Sequence, residues 1–275
     1  MLHQICLETV PKSLFHRESF EALVCGKNIA DMHLKQLLSD TSLIHIFVVS
    51  GSHFILLRNF LAKALGKTSW LLIPLFGYAM VTLCQPPSLR ALAFLALLDI
   101  ANRRKLFLTN IQLVLLSGIL CVAIYPQWIH SRSLAMSLMA ALAMSSADEI
   151  LDRKMPAPLR MFLSQSLMYF AMGFCLWGIS SLHPLSILMN VLIGPLIGIL
   201  LFPLGLLTLL LPPFVPIFDS AMSGLIWLLE KTNPLLKISA SVDPLKVVVL
   251  WILITVLLSF THRWCVRVRR NRYEV

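Results

Sequence analysis

Charged residues are scarce in this chain, and their scarcity excludes a soluble protein. Asp, Glu, Lys and Arg make up 13% of the 275 residues, hydrophobic residues make up 58%, and the mean hydropathy is +0.82. A soluble domain carries about 25% charged residues, because its surface must face water. The composition therefore predicts an all-α protein that crosses a membrane several times.

Acidic residues are the scarcer of the two charged classes. The chain has 13 Asp and Glu against 23 Lys and Arg, which gives a formal net charge of +10. Basic residues at the ends of membrane segments and near anionic lipid account for most of such an excess. The net charge alone therefore does not predict an anionic substrate.

Several motifs that would indicate specific chemistry are also missing. The sequence has no G-x4-G-K-[ST] phosphate loop, no C-x-x-C pair and no H-x-H-x-D-H metal motif. A phosphate loop is the usual sign of bound nucleotide. We expect no cofactor and no metal, and any driving force must come from another protein.

Hydrophobic runs occupy most of the chain. Five are long, at residues 68–83, 107–125, 160–179, 185–211 and 245–260, and four are shorter, at residues 43–57, 88–101, 132–147 and 216–230. A membrane-spanning helix needs about 20 residues. We therefore predict a bundle of about seven to nine transmembrane helices, some of them short or broken.

The positions of Lys and Arg predict the orientation of this bundle. Basic clusters follow alternate runs, whereas the loops at 84–87, 126–131 and 180–184 contain neither Lys nor Arg. Loops on the cytoplasmic side carry the excess of these residues. The prediction comprises a surface segment at 1–42 that is extracytoplasmic or interfacial, a membrane domain at 43–261 and a basic cytoplasmic tail at 262–275.

The six cysteines give little guidance. Most lie among apolar residues, where a free thiol behaves as a small hydrophobic group, so free thiols are the default expectation. Two alternatives remain open for Cys6 and Cys25, which share the segment 1–42. They form a disulfide, or they bind a metal together with nearby histidines, which are His3, His16 and His33.

Two histidines and a serine stand out at the start of the first apolar run. His45, Ser50, Gly51 and His53 belong to the stretch HIFVVSGSH. An unpaired polar group in hydrocarbon costs several kcal/mol. A polar cluster in a membrane segment therefore predicts a functional site.

A second polar feature is the stretch QPPSLRA, in which two prolines begin a helix and Arg90 lies one turn inside it. Two interpretations are open. The Arg90 side chain reaches along the helix to the membrane interface, or it presents a fixed cation to a pore.

Helix-breaking residues mark the run NVLIGPLIGILLFPLG, which contains Gly194, Pro195, Gly198 and Pro203. The prolines predict breaks in helical hydrogen bonding, and the glycines fit either a cavity wall or close helix packing. Asn190 begins this run, and Gln165 lies in a polar stretch of the preceding segment. Together these residues predict a polar interior.

The order of these features resembles the membrane domain of the ComEC competence family. The order is H-x4-S-G-x-H, then P-S-x-R-A, then a glutamine in LSQSLMYF, then N-x-L-x-x-P-L-x-G. The matching residues are His45, Ser50, Gly51, His53, Pro87, Ser88, Arg90, Ala91, Gln165, Asn190, Leu192, Pro195, Leu196 and Gly198. The resemblance extends from about residue 40 to residue 260.

The resemblance implies a channel in the bacterial inner membrane that passes single-stranded DNA into the cytoplasm during natural transformation. The residues that would line or support the DNA path are His45, Ser50, Gly51, His53, Arg90, Gln165 and Asn190. Cations suit the phosphates, and aromatic faces suit the bases. The aromatic candidates are Phe54, Tyr78, Tyr169, Phe170 and Trp177, although such residues more often face lipid.

The resemblance also implies partners, namely a cytosolic ATP-driven DNA translocase and a periplasmic DNA-binding protein, besides membrane lipid. Full-length relatives carry a periplasmic OB-type domain and a nuclease domain resembling metallo-β-lactamases. We expect neither here, because 42 residues are too few for a barrel and only a basic tail follows residue 261. Strand degradation would then belong to another protein.

Two other functions fit the same polar cluster. A carrier of ions or small solutes would use the histidines as a proton relay, because imidazole titrates near neutrality. An intramembrane hydrolase would pair Ser50 or Ser52 with one of the two histidines. A nucleophilic serine also needs an orienting third group, and the nearest carboxylate in the sequence is Asp40. We therefore expect the protein not to be an enzyme.

Overall fold

The computed structural model contains helices and no strands in the residues that it describes. Those residues are 1–47, 51–66, 69–152, 154–176 and 184–237, together with 249, 252, 253 and 256. Ser50, Trp177, Cys265 and the predicted tail at 262–275 lie outside them, as does most of the run 245–260.

Short connections join the helices along the chain. The first five are α1 (Leu2–Thr9), α2 (Arg17–Cys25), α3 (Met32–Asp40), α4 (Ile44–Phe47) and α5 (Gly51–Leu65). The next four are α6 (Leu72–Val81), α7 (Pro86–Arg104), α8 (Asn110–Ile124) and α9 (Arg132–Ile150). The last four are α10 (Ala157–Leu176), α11 (Pro184–Pro195), α12 (Phe202–Leu210) and α13 (Val215–Lys237). A π-helical turn, Leu196–Leu201, joins α11 to α12.

Three stretches of the described chain are long and apolar enough to cross a membrane. They are Ile44–Ala64, Leu185–Leu210 and Pro212–Pro234, and the shorter helices Leu72–Val81 and Asn110–Ile124 are also apolar. Helices α7, α9 and α10 have 19 to 20 residues but include charged or strongly polar side chains. The described residues thus form an all-helical fold with three candidate membrane spans, and the larger number of crossings stays a prediction.

Local sequence explains where α7 and α8 begin. Pro86 begins α7, where the missing N–H of proline has no helical partner to lose. Thr109 and Gln112 form a reciprocal capping box at the start of α8. Near the end of α7, Arg103 pairs with Asp99 at 3.1 Å, as their spacing of four residues indicates.

Part of the segment 1–42 packs into the bundle through α2, whereas its extracytoplasmic or interfacial position stays a prediction. In α2, seven of nine residues are buried. The ring of Phe20 meets Phe218 edge-on with their centroids 5.0 Å apart, and Gly205 leaves room for Val24. The largest apolar core therefore joins the N-terminal helices to α11, α12 and α13. The sequence concealed this because α2 mixes apolar and charged residues.

Hydrogen bonds fasten the N-terminal segment to two parts of the bundle. Asp219, on α13, accepts hydrogen bonds from the backbone N–H groups of Phe15 and His16, each at 3.0 Å. At the other end of α2, Gln85 Nε2 donates to the carbonyl oxygen of Gly26 at 2.8 Å. The end of α2 therefore lies beside the loop that precedes α7.

The one acidic residue buried in α2 is neutralised by ion pairs. Glu21 accepts from Arg17 Nε at 2.8 Å and from Lys27 Nζ at 2.6 Å. Burial acts to raise the pKa of Glu21, but the hydrogen bonds and charges of Lys27 and Arg17 outweigh it and hold that pKa below its ordinary value. The carboxylate therefore stays ionised inside the fold.

Cys6 and Cys25 form a disulfide with their Cα atoms 6.0 Å apart. The default expectation of free thiols is wrong for this pair and correct for Cys84, Cys121 and Cys175. The disulfide removes both sulfurs from the suggested metal site, and no metal-binding group of three His, Cys, Asp or Glu occurs in the described part of the chain. Disulfides persist outside the reducing cytoplasm, which agrees with an extracytoplasmic segment 1–42.

Candidate functional site

Two of the polar motifs found in the sequence meet in space at Gly51 and Arg90. Gly51 is the first residue of α5, and Arg90 lies one turn inside α7. A Cβ atom built on Gly51 would lie 3.0 Å from Arg90 Nη2 and 3.4 Å from the Cβ atom of Ala91. Glycine at this position therefore allows the start of α5 to approach the guanidinium closely.

Arg90 lies where α5, α7, α8 and α9 come together. Its residue surface is 6% exposed, and its Nε donates a hydrogen bond to Ser137 Oγ, on α9, at 2.8 Å. The buried Cys121, on α8, is close enough to interact electrostatically with the guanidinium. The Arg90 side chain is therefore buried between helices, and a position facing a pore stays a prediction.

The charge of Arg90 has no carboxylate partner among the residues that the structure describes. None of the ion pairs there includes it, and its bond to Ser137 is its only hydrogen bond to a described residue. A buried cation without a counter-ion costs several kcal/mol. The guanidinium therefore gives this position a positive potential, which suits an anion.

His53 faces an aromatic cluster. It is fully buried, and its ring lies 4.3 Å from that of Phe202, centroid to centroid. Phe202 in turn contacts Tyr78, and Phe54 belongs to the same cluster. His53 therefore connects the first turn of α5 to the start of α12.

His45 lies on α4. Both nitrogens of its ring are shielded from solvent and lack a hydrogen-bond partner in the described chain, although the backbone of Ser42 approaches the ring. Ser50, the third polar residue of the motif, is outside the described residues. A buried ring without partners is where water or a ligand would be expected.

Gln165 and Asn190 lie on the adjacent helices α10 and α11. Asn190 Nδ2 donates to the carbonyl oxygen of Ser186 at 2.7 Å. Three buried oxygens, Gln165 Oε1, Asn190 Oδ1 and Ser186 Oγ, have no hydrogen-bond partner within the described ranges. Neither Gln165 nor Asn190 hydrogen-bonds to Arg90.

The proline and glycine run stays helical throughout. Pro195 ends α11, the π-helical turn follows, and Pro203 lies in the first turn of α12. The predicted breaks are therefore a change of helical hydrogen-bond pattern, because the wider π turn accommodates the missing proline N–H groups. A Cβ on Gly194 would lie 3.1 Å from Ile46 Cδ1, and one on Gly198 would lie 3.3 Å from Leu56 Cδ1. These two glycines serve close packing against α4 and α5.

The aromatic residues proposed from the sequence as base contacts are mostly core residues. Phe54, Tyr78 and Tyr169 are buried in apolar clusters, Phe170 is partly buried, and Trp177 is outside the described residues. Sequence reasoning missed Ser137, which accepts the hydrogen bond from Arg90, because a single serine in an apolar helix carries no distinguishing pattern.

Comparison with known proteins identifies the family. The family model described as Competence protein matches residues 23–270, which is most of the chain. No curated protein and no solved structure was found to match. The match includes the helices that carry Gly51, Arg90, Gln165 and Asn190. The chain therefore belongs to the Competence protein family, the family of the ComEC membrane domain.

Proposed function

We propose that this protein is a channel that passes single-stranded DNA across the bacterial inner membrane into the cytoplasm during natural transformation. Membership of the Competence family supports a role in DNA uptake. The chemistry around Arg90 supports the passage of a DNA strand through the bundle. DNA carries one phosphate charge per nucleotide, so a path for it requires positive potential without competing carboxylates.

The observation that carries the proposal is the buried guanidinium of Arg90 beside the first turn of α5. It is a cation without an acidic partner in the described chain, held by Ser137 and close to Gly51. Guanidinium is a good phosphate ligand because it stays charged and offers several N–H donors. A phosphate that passes this point would relieve the cost of the buried charge.

The disulfide supports the direction of transport. Cys25 is followed by Gly26, whose carbonyl accepts from Gln85 just before α7. The disulfide belongs on the oxidising side of the membrane. The start of α7, and Arg90 one turn below it, would then lie near the periplasmic entrance of the bundle.

Transport also needs partners outside this chain. The sequence has no phosphate loop, so we propose that a cytosolic ATP-driven DNA translocase pulls the strand. A periplasmic DNA-binding protein would deliver it. The neutral polar groups at Gln165 and Asn190 suit a path that must let a polyanion move on without holding it too tightly.

A labelled-DNA assay in a transformable host tests this function. The gene is deleted and restored on a plasmid, and DNA bound at the cell surface is measured separately from DNA protected from external nuclease. We expect deletion to abolish the protected single strands while surface binding stays at the wild-type level. Restoring the gene should recover them.

Normal amounts of protected DNA in the deletion strain would contradict the proposal. A carrier of ions or small solutes predicts a different result, in which the deletion strain loses solute uptake in cells that were never given DNA. If the deletion strain loses surface binding as well as uptake, the protein acts in binding DNA at the cell surface, before passage across the membrane.

A further inference from the structure

We propose that Tyr125 and Trp128 form a platform on which nucleobases stack at the entrance of the bundle, above Arg90. This inference rests on the proposed function, because it names the groups that take the bases of the same strand whose phosphates reach Arg90. The platform would act on bases in general, since every base has a flat aromatic face.

The two rings are already stacked and held in place. Their centroids lie 4.4 Å apart with an angle of 25° between the planes. A single 3-10 turn, Pro126–His130, connects α8 to α9; it begins directly after Tyr125 and contains Trp128. In this turn the backbone N–H of Trp128 donates to the backbone carbonyl oxygen of Tyr125 at 2.9 Å. An aromatic surface that is ordered beforehand binds with a smaller entropic cost.

This turn lies at the same end of the bundle as Arg90. Tyr125 donates its backbone N–H to the carbonyl of Cys121, one turn below, and Cys121 lies close to the guanidinium. On α9, Ser137 holds Arg90 and lies five residues after the start of the helix. At 1.5 Å per residue, α9 places the bond between Arg90 and Ser137 about 8 Å below the turn.

The charges near the turn favour a polyanion. Neither residues 82–92 nor residues 121–137 contain Asp or Glu, whereas Arg132 begins α9 just after the turn and is exposed. Tyr125 is 37% exposed, so one ring of the pair is open to a ligand. Aromatic faces above a buried cation, with no acidic residue nearby, fit single-stranded DNA, which combines flat bases with phosphates.

A membrane-interface belt is the competing explanation for exposed Tyr and Trp. Binding of two oligonucleotides to the full-length protein in detergent separates the explanations. One is a fluorescent thymidine oligomer, and the other has the same length and number of phosphates but lacks all bases. We expect the wild-type protein to bind the thymidine oligomer about tenfold more tightly or better, on the scale of stacking one or two bases.

The variant Tyr125→Leu/Trp128→Leu should lose this preference and keep the wild-type affinity for the abasic oligomer. Trp227→Leu is the matched control, because Trp227 is 60% exposed on α13 and should leave the preference unchanged. A thymidine oligomer that carries 4-thiothymidine should also crosslink to Tyr125 or Trp128 of the wild-type protein under ultraviolet light. The crosslink does not depend on the folding of any variant.

Distinct results would overturn the platform and the proposed function. Binding of both oligomers with equal affinity, or crosslinks only at other residues, would refute the platform while DNA binding itself survives. If the double variant is less abundant in the membrane but still prefers the thymidine oligomer to the abasic one, the two rings serve as anchors at the membrane interface. No binding of either oligomer would refute the proposed function itself.

Discussion

Gly51 lies against the guanidinium of Arg90, with too little space between them for an undisturbed methyl group. The contact joins the H-x4-S-G-x-H motif to the P-S-x-R-A motif, although Gly51 and Arg90 are 39 residues apart in the sequence. It also fixes where the cation lies relative to the first turn of α5. Disturbing it should affect DNA entry in proportion to the size of the intruding side chain.

We expect Gly51→Ala to reduce DNA entry moderately and Gly51→Val to reduce it strongly. The end of the Arg90 side chain can shift by a few tenths of an ångström for alanine, whereas valine forces a larger shift at a cost of about 1–3 kcal/mol. Nuclease-protected DNA and protein abundance are the measurements. Gly224→Ala and Gly224→Val are the controls, since a Cβ there would meet nothing within 4 Å. Wild-type uptake in Gly51→Val would contradict the role of this contact.

Breaking the disulfide should destabilise the protein. The bond closes a loop between residues 19 apart, for which the unfolded-chain argument gives about 3 kcal/mol. We expect Cys6→Ser, Cys25→Ser and the double variant all to lower the Tm of the purified protein by similar amounts. Cys175→Ser is the control because Cys175 is a free thiol. A reducing agent should lower the wild-type Tm and leave the double variant unchanged, and an unchanged wild-type Tm would rule out the bond.

The orientation of the chain can be read from the labelling of introduced cysteines. We expect Phe15→Cys to react with a membrane-impermeant maleimide in intact spheroplasts, because Phe15 is 83% exposed and is predicted to lie outside. Tyr273→Cys, in the predicted cytoplasmic tail, should react only after lysis. Both variants are made in a background in which the native free cysteines are serine. The reverse labelling pattern would invert the predicted topology.

Conservative changes in the first motif separate a channel from a hydrolase. For a channel we expect His45→Gln and His53→Asn, which keep a donor and an acceptor, to retain more DNA uptake than the alanine variants. Ser50→Thr should likewise be milder than Ser50→Val. A hydrolase predicts that all six variants are equally inactive and that a fluorophosphonate labels Ser50 or Ser52. Covalent labelling of Ser50 or Ser52 would contradict the interpretation of the protein as a channel without hydrolase activity.

The sequence indicated the fold class and several candidate site residues, but neither the contacts between them nor how the N-terminal segment packs. The scarcity of charged residues and the long apolar runs were enough to predict an all-helical membrane protein. Arg90 could be singled out because a cation in an apolar helix is costly, and its burial follows from the packing of α7 against α5, α8 and α9. Nothing local revealed that Gly51 is its neighbour, since that contact depends on how α5 meets α7.

The burial of α2 was missed for a different physical reason. Its charged residues are paired with one another, as Glu21 is with Arg17 and Lys27, so its composition is typical of a surface helix while its other face enters the core. Tyr125 and Trp128 are three residues apart, with Pro126 and Gln127 between them, and this spacing can be detected in the sequence. Their stacking depends on the 3-10 turn, and that turn is known only from the structure.

Substitution of Arg90 tests the central claim most directly. In cells, we expect Arg90→Ala to lower nuclease-protected DNA about tenfold or more, the size of effect expected for a lost charged hydrogen bond to phosphate. Arg90→Lys should keep part of the uptake because it retains the charge without the planar fork. Arg103→Ala is the matched control, since Arg103 lies on the same helix, is exposed and is paired with Asp99. The account predicts loss of protected DNA in Arg90→Ala at unchanged membrane abundance and surface binding, and wild-type uptake in that variant would contradict it.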